Sequence, residues 1–64
     1  MMKYFLDFNA MDHDKFELKT IEEHDTVCEG RLSQIEGADA DWQDALDRYF
    51  ETQYNIKPTE WEVG

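Results

Sequence analysis

Residues 37–51, GADADWQDALDRYFE, decide how this chain is built. Trp42, Ala45, Leu46, Tyr49, Phe50 and Gln53 recur at helical spacing, so at about 100° per residue they share one broad stripe. Asp39 or Asp41 is placed to cap the start of this helix, where a carboxylate accepts from orphan N–H groups and meets the positive end of the dipole. The helix is expected to end near Tyr54 and Asn55, because Asn tolerates the left-handed C-terminal position and Pro58 blocks continuation. With Trp42 set at zero, Asp44, Asp47 and Glu51 fall at about 200°, 140° and 180°, opposite the stripe, with Asp41 at the edge of that arc. The element therefore has an apolar face that needs covering and an acidic face turned away from it.

The flanking sequence supplies the cover. In residues 3–8, KYFLDF, Tyr4, Leu6 and Phe8 alternate with Lys3 and Asp7, and Phe5 alone breaks the pattern. NAMDHD, residues 9–14, reads as a turn, after which KFELKTI places Phe16 and Leu18 opposite Lys15, Glu17 and Lys19. Between 22 and 37, Cys28, Leu32 and Ile35 fit helical spacing, but Gly30 and the pair Thr26-Val27 favour a third strand, bulged at Gly30 and closed by Gly37. TEWEV near the end alternates Trp61 and Val63 with Glu60 and Glu62 and reads as a last strand. The order β-β-β-α-β predicts an α+β fold: a small antiparallel sheet of three to four strands packed against one α-helix, in a single domain over residues 1–64.

Composition bounds the function. At 64 residues there is room for one core, and 41% apolar content with nine aromatic rings argues against a disordered tail. A lone cysteine, Cys28, cannot staple its own chain, which points to a reducing compartment. MMKYFLDF lacks the pattern of a signal peptide, and no stretch approaches the roughly 20 apolar residues of a membrane span. A cytoplasmic protein without membrane contact is expected. Sixteen acids against six Lys and Arg give a net charge of −10, beyond the magnitude of roughly 2–8 that suits a small soluble domain. Such a surface repels nucleic acid and seeks basic clefts, which belong mostly to proteins that handle nucleic acid.

Known chemistries find little purchase. Asp39, Asp41 and Gln43 imitate the start of a calcium loop, yet Asp44 stands where a Gly is needed and Phe50 where a bidentate Glu is needed. His24 and Cys28 have the spacing of two zinc ligands, and Asp12-His13-Asp14 sets a His between acids, but a structural site usually needs four ligands. Cys28 as a nucleophile would need His24 or His13 held against it and an oxyanion hole that no Gly-rich motif supplies. No catalytic residue, metal ligand or cofactor is assigned, and a non-enzymatic protein is expected.

The acids themselves then become the candidate site. Asp44, Asp47 and Glu51 form a ridge with steps of roughly 4.5 and 6 Å, against a phosphate about every 3.4 Å of axis on a DNA strand. Asp41 extends the ridge, and Arg48 can pair with Asp44 or Glu51. A second cluster, Glu22, Glu23 and Asp25 with Glu29 nearby, joins it if the fold brings the two together. In size and acidity the whole chain resembles the small anti-CRISPR and anti-restriction proteins of phages and mobile elements. That resemblance implies a phosphate-mimicking inhibitor in the host cytoplasm, with Asp41, Asp44, Asp47 and Glu51 facing the Lys and Arg of a nucleic-acid channel. It would act as a monomer or homodimer on a protein partner, not on nucleic acid directly. The alternative is a protein–protein interaction or homodimerising module whose acidity is mainly solubilising.

Overall fold

A computed structural model describes residues 2–64. Its elements run β1 (Tyr4–Phe8), β2 (Lys15–Thr20), β3 (Thr26–Arg31), α1 (Ala38–Tyr54) and β4 (Trp61–Val63), with single 3-10 turns at Leu32–Gln34 and Pro58–Glu60. The strands form one sheet in the order β3-β2-β1-β4. This is the expected α+β arrangement with one difference: β4 lies parallel to β1, pairing Tyr4 with Trp61 and Leu6 with Val63, so the sheet is mixed. The cause is α1. Trp42 meets Phe8 at the end of β1, and Phe50 meets Trp61 at the start of β4, so α1 carries the chain back along the sheet. A helix of 17 residues is roughly 25 Å long, enough to span these strands end to end. The next strand must then run in the direction of β1.

The core follows the alternation read from the sequence. Leu6, Phe16, Leu18 and Cys28 on the sheet close against Ala45, Leu46 and Phe50 of α1, with Ile56 and Trp61 at the exit of the helix. Phe50 is central, edge-on to both Phe16 and Trp61 at 6.1 and 5.2 Å between ring centroids. The stripe is shorter than its spacing suggested: Gln53 falls at about 20° on the same scale, inside the stripe, yet is exposed in the last turn of the helix. Phe5, on the uncovered face, is met edge-on by His24 at 5.5 Å. His24 reaches it from the turn between β2 and β3, in a left-handed conformation with φ 60°.

The third strand forms, but its bulge is not at Gly30. Leu18 pairs with Cys28 and Lys19 with Thr26, so Val27 is the extra residue. Gly30 serves a different purpose, lying opposite Phe16, where a Cβ would sit 3.2 Å from Cζ of the ring.

Both ends of α1 have a specific chemical stop. Gly37 precedes the first turn at φ 84°, and the carbonyl of Gly37 accepts from the N–H groups of Ala40 and Asp41. Asp41 then departs from helical geometry, with φ −152° and ψ 95°, and its Oδ1 accepts from the N–H of Asp44 at 3.2 Å. That is an N-cap interaction inside the element: the main body of the helix starts at Trp42. At the other end Asn55 is left-handed, and its N–H and that of Ile56 donate to the carbonyls of Glu51 and Phe50.

Candidate functional site

The acidic helix flank is the natural place to test the sequence expectations. Asp41, Asp44, Asp47 and Glu51 are all on α1, spaced over roughly 15 Å of axis. Their roles differ. Asp41 is exposed but engaged as the cap, whereas the side chain of Asp39, the other candidate, makes no hydrogen bond among the described residues. Asp44 accepts from Nη2 of Arg48 at 2.7 Å, an exposed pair one helical turn apart. Glu51 is exposed and has no ion-pair partner among the described residues.

Asp47 departs most from its expected position. It is half-buried rather than pointing straight out, because this flank of the helix turns toward Trp61 at the sheet edge. Burial is the main cause that pushes its pKa above the ordinary carboxylate value, and the charge of Asp44 adds to it. Trp61 acts in the opposite direction, while Asp41 and Glu51 contribute further upward pressure. The indole N–H of Trp61 is buried and closes no hydrogen bond among the described residues; Asp47 nonetheless lies near enough to be influenced by it. The four acids are thus one electrostatic group centred on Asp47.

The second cluster is held by another part of the fold. Glu22, Glu23 and Asp25 are exposed on the tip between β2 and β3, at the end of the sheet toward which α1 runs. The tip is fixed by Thr20, whose carbonyl accepts from the N–H of His24 and whose Oγ1 accepts from the N–H of Asp25. Glu29 lies on the uncovered face of the sheet, opposite Glu17. There Lys19 bridges Asp7 and Glu17 at 3.2 and 3.7 Å, and its pKa is raised chiefly by the hydrogen bond to Asp7. The structure therefore brings the helix acids together and sets Glu22, Glu23 and Asp25 on a separate hairpin tip, with Glu29 on a third surface.

The other chemical candidates are also dispersed. Cys28 is buried on the core side of β3, which pushes its thiol pKa up, while His24 packs on Phe5 across the sheet. Asp12 and Asp14 hold Arg31 at 2.7 and 3.7 Å, and Asp14 also accepts from Ser33. Asp12 is consequently held below the usual carboxylate range, first by its hydrogen bond from Arg31. Among the described residues no group of three or more His, Cys, Asp or Glu is placed to hold a metal ion, and no helix is long and apolar enough to cross a membrane.

Two depressions escaped the sequence reading. One is lined by Phe8, His13, Leu32 and Trp42; the other adjoins it through Leu32 and includes Glu36 and Asp39. Trp42 and Phe8 both carried an apolar signal, but only the β1–α1 contact reveals that they are half-open side by side. No protein-family model matches the chain, and no curated protein or solved structure gives a significant match.

Proposed function

We propose that this protein is a non-enzymatic inhibitor, which binds a basic nucleic-acid-binding cleft of a host protein complex by imitating the phosphate backbone. The observation that supports this most directly is the grouping of Asp41, Asp44, Asp47 and Glu51 on one helix flank with a single cation, Arg48, paired among them. Only six of the sixteen carboxylates are in ion pairs with Lys or Arg among the described residues, so the excess charge is available to an outside partner. Charge held this way speeds encounter with a positive cleft and weakens with salt. A phage-encoded protein of this type would work in the host cytoplasm as an anti-CRISPR or anti-restriction factor.

The test is an immobilised bait. At low salt the protein should retain basic nucleic-acid-binding proteins from a host lysate, and duplex DNA or raised salt should release them. The variant carrying Asp44→Lys, Asp47→Lys and Glu51→Lys, with unchanged circular dichroism, should retain none of them. Retention of the same proteins by the reversed variant would refute the helix flank as the mimic.

A further inference from the structure

Charge supplies steering, but the affinity of an interface is concentrated in desolvated anchors with a polar rim. At the Asp41 end of the ridge the molecule has such an arrangement. Trp42 is half-buried in spite of its position in the apolar stripe, and its ring meets Phe8 edge-to-face at 5.2 Å and 87°. Leu32, half-buried at the 3-10 turn, and exposed His13 complete the lining of this groove. Beyond Leu32 the adjoining depression carries Glu36 and Asp39, both exposed and with neither side chain joined in a hydrogen bond or ion pair among the described residues. An aromatic wall that leads to free carboxylates suits one side chain above others. Arginine stacks its planar guanidinium on aromatic rings and offers its N–H groups to carboxylates, whereas lysine presents a compact, strongly hydrated point charge.

We propose that the groove bounded by Phe8, Leu32 and Trp42 receives an arginine side chain of the basic partner, with the guanidinium directed toward Glu36 and Asp39. This rests on the inhibitor function proposed above, and adds to it a site that distinguishes arginine from lysine. The ridge alone would treat the two cations nearly alike. Charge complementarity selects the occupant: no Lys or Arg lines either depression, Arg31 is held at the Asp14 wall by Asp12 and Asp14, Glu36 and Asp39 have no cation paired to them among the described residues, and the chain carries net charge −10.

The experiment titrates the protein at low ionic strength with N-acetylated tetra-arginine amide and with the matching tetra-lysine amide. The indole N–H resonances of Trp42 and Trp61 are followed by NMR. Tetra-arginine should bind about fivefold tighter than tetra-lysine, and it should move the Trp42 indole signal. Trp42→Leu should remove the preference. Because that variant also alters packing, Glu36→Gln with Asp39→Asn, at exposed positions, provides an independent check and should reduce the preference at least twofold. Equal affinities for the two peptides, or an unmoved Trp42 signal, would overturn the groove. If both peptides bind equally to the wild type and neither binds the ridge-reversed variant, the groove fails and the ridge stands. If the ridge-reversed variant keeps the full affinity and arginine preference, the ridge fails and the groove stands.

Discussion

Replacing Asp41 by Ala separates a structural acid from a functional one. The substitution removes Oδ1, which accepts from the N–H of Asp44 at 3.2 Å, at a point where the backbone has already left helical geometry. Loss of an N-cap acceptor typically costs about 1 kcal/mol. The lost interaction with the helix dipole adds about 0.3–1 kcal/mol, and relief of repulsion with Asp47 returns a few tenths. The net expectation is about 1 kcal/mol, out of a total on the order of 3–10 kcal/mol for a chain of this length. In urea, followed by circular dichroism, the midpoint should fall by about 0.5–1 M, and the thermal midpoint by roughly 4–8 °C. Two controls isolate the cause. Asp41→Asn keeps an acceptor and should remain within about 0.5 kcal/mol of the wild type, while Asp39→Ala, which breaks no side-chain hydrogen bond, should do the same. The capping account fails if Asp39→Ala is as damaging as Asp41→Ala, or if Asn is no better than Ala at position 41.

Three further substitutions probe other parts of the structure. Asp47→Asn should stabilise the fold at pH 7: the folded-state pKa of Asp47 is raised, so its ionisation opposes folding at neutral pH. That advantage should shrink as pH falls through the folded pKa and vanish below the ordinary carboxylate range; thermal melts between pH 7 and pH 3 that show a constant or opposite difference would contradict it. Gly30→Ala should cost about 1–2 kcal/mol in urea melts, because the new Cβ approaches Phe16 Cζ to 3.2 Å and Phe16 is itself fixed against Phe50; a neutral or stabilising result would mean that the ring moves freely. Arg48→Ala frees Asp44 and should raise affinity for tetra-lysine amide about twofold at low salt, a gain lost at high salt; weaker binding would show that Arg48 helps to form the site.

Periodicity made most of the framework legible. Alternation in β1 and β2, the stripe of α1 and the chain-stopping Asn55 and Pro58 are local signals, and each is expressed where the spacing placed it, Gln53 excepted. What periodicity does not contain is direction in space. The parallel pairing of β4 follows from α1 returning the chain across the sheet, a consequence of combined lengths that no single segment records. Glycine is the usual mark of a bulge, so the sequence points to Gly30 and not to Val27; here that glycine makes room for Phe16 of the neighbouring strand β2. Phe5 broke the alternation since its cover, His24, comes from a turn 19 residues away in the chain.

The acids illustrate the same division more sharply. Helical angles placed Asp44, Asp47 and Glu51 on one arc, and the structure keeps them together as a group, but the angles treat each carboxylate as equivalent. Asp41 is held by a cap and Asp44 by Arg48, so a partner that engages either one must replace an existing contact. Glu51 has nothing to give up except water. Asp47 has already lost part of its hydration to the fold, and three neighbouring acids press on it, so a cation arriving there meets a carboxylate whose charged form is poorly compensated. Electrostatic complementarity is strongest where the free protein leaves such a charge least satisfied. The imitation of a phosphate strand proposed above would therefore not be uniform: Asp47 and Glu51 are the members whose charge no Lys or Arg of the described residues compensates, and Asp41 fixes the helix that presents them.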